Sequence, residues 1–184
     1  MPKLPGVTNR WWQLVACMIA MMASANLQYT WTLFTIPLSR GLNVKLSEVQ
    51  VAFTLFVLTQ SWLVPFEGYL VDRLGARIIV TAGGLLVGLS WLGSGLAHSL
   101  SALYAWYALG GVGVGAVYGA CVGSVLKWFP DRRGFAAGLA VGAYGSGAAL
   151  TVIPIQRMIE RTGYHSAFIT WGVLQVWSSW LWPG

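Results

Sequence analysis

Six largely apolar stretches, separated by short loops in which the charges collect, make up this chain: residues 11–35, 47–71, 78–97, 103–128, 135–159 and 165–182. Each is roughly 17 to 25 residues long, too long for a strand and long enough to cross a bilayer. Inside hydrocarbon every backbone N–H and C=O must find its partner within the segment, so each run is expected to be a helix. The loops carry their own signals. Pro37, Arg40, Gly41, Asn43 and Lys45 close the first run, and Ser47 with Glu48 and Gln50 reads as the start of the next helix. His98-Ser99 marks a turn, and Arg157, Glu160, Arg161 and Gly163 end the fifth run. Charged residues make up 9% of the chain, against about a quarter in a soluble domain, which excludes a soluble fold. A chain that is 57% hydrophobic is also excluded from the disordered class. The expectation is an all-α integral membrane protein, a single six-helix bundle over residues 1–184.

Lys and Arg number 11 against 5 Asp and Glu, a net charge of +6. In a soluble protein that excess points to nucleic acid. Here the basic residues are spread through the gaps between apolar runs, where they set topology, and no nucleic-acid partner is expected. Lys3, Arg10, Arg73, Arg77, Lys127, Arg132 and Arg133 fall on one side, and Arg40, Lys45, Arg157 and Arg161 on the other. The richer side belongs in the cytoplasm, which puts the N-terminus inside. Ala23-Ser24-Ala25 has the look of a signal-peptidase site, but the apolar character continues past it through Leu27, Trp31 and Phe34, so an uncleaved first helix is expected. Cys17 and Cys121 lie inside apolar runs without ligand spacing and read as small core residues, with neither metal nor cofactor implied.

The strongest local pattern joins the second and third runs: Gly68-Tyr69-Leu70-Val71-Asp72-Arg73-Leu74-Gly75-Ala76-Arg77. Gly68 is suited to a close helix approach, Gly75 to a tight turn, and the charges to holding that turn at the surface. A solvated loop with snorkelling arginines accounts for any one charge, but poorly for the whole order. That order resembles the signature loop of the major facilitator superfamily, with Asp131-Arg132-Arg133-Gly134 as a weaker echo where the superfamily's pseudo-repeat places it. Ala76 departs from the pattern, which often has a basic residue there. Within the superfamily, Gln28-Tyr29-Thr30-Trp31-Thr32-Leu33, Ala52-Phe53-Thr54-Leu55 and Trp128-Phe129-Pro130-Asp131-Arg132-Arg133-Gly134 resemble the oxalate/formate antiporter family. The resemblance implies a secondary carrier of small carboxylates, not an enzyme, set in a bacterial inner or plasma membrane and working by alternating access.

Depth singles out the candidate site. Gln60, Tyr118 and Tyr144 lie near the centres of the second, fourth and fifth runs, and Gln28, Tyr29 and Trp31 lie in the outer half of the first. Buried amides and phenols need partners, and carrier sites form near the bilayer midplane. Each residue alone could simply bond across a helix interface; their common depth favours a cavity. The resemblance implies an aromatic-lined cavity between two six-helix halves, with Tyr29, Gln60, Tyr118 and Tyr144 at matching positions. Val57 stands where oxalate carriers of that family have another glutamine, which favours small carboxylates in general over oxalate. Phenol and amide donors suit a carboxylate.

No Lys or Arg lies mid-membrane in any run, yet an anion taken out of water needs a compensating charge. The family supplies its basic residues from the second half, so the resemblance implies a first half that requires its counterpart, in cis or in trans, to transport. The alternatives are an inert or structural six-helix remnant and one subunit of a two-chain carrier. Gly111, Gly115, Gly119 and Gly123, and likewise Gly134, Gly138 and Gly142, recur every four residues and read chiefly as faces for tight packing. Glu67 lies about 7.5 Å deeper than Asp72 and reads as an interfacial carboxylate paired with Arg73, Arg77 or a base of the next loop, ahead of a protonatable switch. Ser146 and His165 invite an intramembrane serine protease, but their depths keep nucleophile and base apart.

Overall fold

The computed structural model describes residues 10–179; Lys3 and the expected end of the sixth run at residue 182 lie outside them. Eight helical segments follow one another: α1 (Arg10–Tyr29), α2 (Trp31–Leu42), α3 (Leu46–Trp62), α4 (Val64–Leu74), α5 (Ala76–Gly95), α6 (Leu100–Trp128), α7 (Arg133–Thr162) and α8 (Tyr164–Ser179). No strand occurs among the described residues. α5, α6 and α7 are each long and apolar enough to cross a membrane, with mean hydropathies of 1.6, 1.7 and 1.5. α3 and α4 meet the same test only as a pair, bent by 55°. Among the described residues, α1, α2 and α8 do not meet it singly.

Two of the six expected runs are therefore interrupted. The first breaks at Thr30, whose hydroxyl donates to the Asn26 carbonyl at 2.6 Å; such back-bonding bends a helix. The chain then resumes with a tighter bond from the Leu33 N–H to the Thr30 carbonyl, 3.0 Å. The second breaks at Leu63, because Pro65 has no N–H to offer the Ser61 carbonyl. Pro37 does not end its helix. It sits inside α2, which runs on to Leu42 and closes on Asn43 in the left-handed conformation, φ 53°. The next helix starts at Leu46, where the Glu48 carboxylate accepts from the Lys45 backbone N–H at 2.9 Å.

α5 packs between α6 and α8, α3 lies along the far side of α6, and α1 packs against α7 and α6. Lipid offers no hydrophobic force between helices, so these contacts depend on close fit. At the α5–α6 crossing the backbones touch directly: a Cβ on Gly83 would stand 2.8 Å from the Gly113 carbonyl, and one on Gly113 would stand 2.6 Å from the Gly83 carbonyl. Of the apolar stretch of α5, 61% is buried, against 28% of that of α7, so α5 is central and α7 forms an open edge. Phe34, Trp91 and Phe168 fill the core beside them, with the rings of Phe34 and Phe168 4.1 Å apart. Cys17 and Cys121 are free thiols with no exposed surface.

The glycine pattern divides. Gly111 packs against the Phe56 carbonyl and the Thr59 hydroxyl, and Gly115 against Glu67. At Gly68, Gly119, Gly123, Gly134, Gly138 and Gly142 a Cβ would meet nothing within 4 Å. The expected tight packing thus holds for the first two only, and the close approach expected at Gly68 does not form. Those helix edges have no neighbour among the described residues. Ser146 donates to the Ala143 carbonyl at 2.9 Å, while the His165 ring meets the Gly95 carbonyl at 2.5 Å, so the two share no site.

Candidate functional site

Tyr144 of α7 is the hub of a polar and aromatic cluster drawn from four helices. Its hydroxyl donates to Gln28 Oε1 of α1 at 2.5 Å and accepts from Gln60 Nε2 of α3 at 3.4 Å. Its ring meets Tyr29 edge-on, centroids 5.6 Å apart, and Tyr118 of α6 in the same manner at 5.4 Å. Such edge contacts fix ring orientation and contribute about 0.5–1.5 kcal/mol each. Tyr144 is buried, whereas Tyr29 is 47% exposed and Gln28, Gln60 and Tyr118 are half-buried, so the cluster faces the open side of the bundle. The hydroxyls of Tyr29 and Tyr118 have no hydrogen-bond partner among the described residues, which leaves two phenol donors free for a ligand. Carboxylates accept well from such donors.

Both helix breaks flank this cluster. Tyr29 is the last residue of α1, and Gln60 lies two residues before the end of α3. Interrupted helices surround the ligands of many carriers, because a break lets backbone and side chains leave the regular ladder at mid-depth. Apolar character continues across both breaks, which hides them from hydropathy. Pro65 was a usable signal for the second; Thr30, an ordinary residue in an apolar run, offered none.

Trp31 is not part of the cluster. Its indole N–H donates to Gln50 Oε1 at 2.9 Å, and its ring lies against Tyr107 at 4.3 Å and stacks on Phe53 at 6.1 Å. It is 2% exposed and belongs to the core between α2, α3 and α6. Val57 lines a separate open groove of about 410 Å³ on α3, with Phe53, Thr54, Leu58, Ser61 and Trp62. A second pair went unnoticed in the sequence: the Thr151 hydroxyl donates to Asn26 Oδ1 at 2.7 Å, joining α7 to α1 beside the Thr30 break. The available signal was an asparagine in a membrane helix.

The loop residues gather at one end of the bundle. Asp72 pairs with Lys127 at 2.9 Å, and Asp131 with Arg10 at 2.9 Å. The Arg10 guanidinium also lies 5.1 Å above the Phe129 ring, and Arg73 lies 4.7 Å above Tyr69. Gly75 takes φ +85°, the turn expected of it, and Arg77 follows at the start of α5. Arg132 precedes α7 and Arg133 opens it. Among the described residues, none of the ion pairs or cation–π contacts of Lys and Arg involves the Tyr144 cluster.

Glu67 differs from expectation. It is 4% exposed, and neither carboxylate oxygen has a hydrogen-bond partner. The expected pairing with Arg73 or Arg77 does not form: the two ion pairs among the described residues involve other groups. The bend at Leu63 swings α4 so that this side chain lies against Gly115 of α6.

The profile of the Major Facilitator Superfamily matches residues 15–182. The chain belongs to the major facilitator superfamily. Its family and its long apolar helices make it an integral membrane protein. It is 39% identical to the oxalate:formate antiporter of Oxalobacter formigenes over 166 residues, which cover 90% of this chain and 40% of that protein. It is 31% identical to the uncharacterized MFS-type transporter YhjX of Escherichia coli (strain K12), over 90% of this chain and 41% of that one. Monocarboxylate transporter 14 of Mus musculus is 29% identical over 75% of the chain and 26% of its own length. The chain thus spans about 40% of the length of the first two of these relatives.

Proposed function

We propose that this superfamily member is the N-terminal six-helix half of a secondary carrier for small carboxylates. In this reading α1 with α2, and α3 with α4, are two broken spans, and α5 to α8 are the other four. The carrier works by alternating access with a second six-helix bundle, supplied in cis or in trans, and the N-terminus faces the cytoplasm. The cluster of Gln28, Tyr29, Gln60, Tyr118 and Tyr144 is this half's share of the substrate site. The observation that supports this most directly is the pair of unpartnered phenol donors beside two helix breaks, in a chain 39% identical to an oxalate:formate antiporter.

Electrostatics explains why a second bundle is required. Taking a carboxylate from water into a medium like the membrane interior costs on the order of 20 kcal/mol in the idealised limit. A hydrogen bond to a charged group returns about 1.5–3 kcal/mol. Even after relaxation the penalty is several kcal/mol, and a cation across the cavity offsets it more directly than neutral phenols and amides do. To test the reading, the chain is joined to the C-terminal bundle of a relative and assayed for labelled oxalate and formate uptake in proteoliposomes. Uptake should need both bundles. Uptake or tight anion capture by the 184-residue chain alone would overturn the half-carrier assignment, and no uptake of any small carboxylate by the joined protein would overturn the substrate class.

A further inference from the structure

The cluster leaves one buried ionisable group unused. Glu67 Oε1, Glu67 Oε2 and the Gln60 backbone carbonyl oxygen lie 2.8, 2.9 and 3.1 Å from the point where a Cβ on Gly115 would stand. Three oxygens thus converge on a bare glycine backbone, at the step between α3 and α4. None of them can donate when Glu67 is ionised, and both carboxylate oxygens are unpartnered. The elements packed on α4 bring no compensating charge. On α6 the nearest cation, Lys127, is paired with Asp72; on α5, Arg77 lies at the helix start and makes no ion pair; on α3 the single ionisable group, Glu48, lies at the far end. Tyr69, Asp72 and Arg73 of α4 itself make no ion pair or hydrogen bond with Glu67.

From this geometry we infer that Glu67 is a proton-binding site, with the Gln60 carbonyl as acceptor for its O–H. A bound proton turns one of three clustered acceptors into a donor and completes the site. Sodium is a poorer occupant, because three oxygens fall short of the shell a hard cation gathers. The site deepens the carrier reading, since it suggests how a proton could be coupled to substrate. The Gln60 backbone carbonyl lies beside Gly115 together with the Glu67 carboxylate, and the Gln60 side-chain amide donates to the Tyr144 hydroxyl. Loading Glu67 fixes the backbone of the residue whose side chain helps to hold the cluster.

The test uses the 184-residue chain in lipid nanodiscs, read by infrared difference spectroscopy across a pH titration, with no carboxylate substrate present. The chain has five acidic side chains, and Glu48, Asp72, Asp131 and Glu160 are all exposed. A protonated-carboxyl carbonyl band at neutral pH, growing as the pH falls and shifting in deuterium oxide, therefore reports Glu67. It should vanish in Glu67→Gln and persist in Asp72→Asn. Absence of the band in the unaltered chain, its persistence in Glu67→Gln, or its removal at constant pH by sodium would each overturn the proposal. If Glu67→Gln fails to fold, the unaltered chain and Asp72→Asn still decide it. Failure here leaves the substrate assignment standing, because that rests on uptake.

Discussion

Replacing Tyr118 by Phe separates ligand binding from folding. The Tyr118 hydroxyl has no protein partner among the described residues, and its ring contact with Tyr144, 5.4 Å between centroids, survives the change. Removing an unpartnered, half-buried hydroxyl should alter the stability of the bundle by less than about 0.5 kcal/mol. If that hydroxyl donates to a carboxylate, its loss removes a charge-assisted bond of about 1.5–3 kcal/mol, or roughly a 10- to 150-fold weaker affinity. The assay pairs thermal unfolding of the chain in detergent with the concentration dependence of oxalate and formate uptake by the joined two-bundle protein. An unchanged melting temperature with at least tenfold weaker half-saturation is expected. Unchanged half-saturation would remove Tyr118 from the site, and a large drop in melting temperature would show that the hydroxyl has a structural partner after all.

Tyr144→Phe should behave differently: it strips partners from Gln28 and Gln60 together, so stability should fall by about 1–2 kcal/mol along with uptake, measured by the same pair of assays. Thr151→Val leaves Asn26 Oδ1 without its donor and should lower stability by about 1–3 kcal/mol, read as a lower unfolding midpoint. Gly111→Ala drives a methyl into the Phe56 carbonyl and should destabilise by about 1–3 kcal/mol, whereas Gly119→Ala meets open space and should be neutral or gain up to about 1 kcal/mol; equal effects in thermal unfolding would refute the packing assignment. Lys127→Gln breaks a pair whose side chains are 68% and 70% exposed, so the melting temperature should stay nearly constant, and any change should disappear in high salt.

The helical character was legible because a bilayer allows so few alternatives, and the positions of α5, α6 and α7 follow closely from apolar runs bounded by Asp72–Arg77, His98-Ser99 and Arg132–Arg133. Hydropathy is blind to what happens within a run. It carried the first helix past Thr30, where a hydroxyl rather than a proline turns the chain, and it stopped that run short at Pro37, whose fixed φ is compatible with α2. Four of the candidate residues, Tyr29, Gln60, Tyr118 and Tyr144, share a cluster with Gln28 because residue type and depth were both visible. Trp31 has the same depth but the opposite azimuth, which a broken helix conceals. Glu67 lacks its expected arginine partner for a related reason: that pairing presumes a straight helix, and the 55° bend changes what lies beside it.

One consequence follows from the hub itself. The Tyr144 proton already has an owner in Gln28, so an arriving anion that claims it must evict that amide. The eviction removes one of the two side-chain hydrogen bonds between α1 and α7 among the described residues and leaves the one from Thr151 to Asn26. Occupancy is thereby converted into looser tethering between two rods, and a ligand too small to reach the hydroxyl would be held without sending that message.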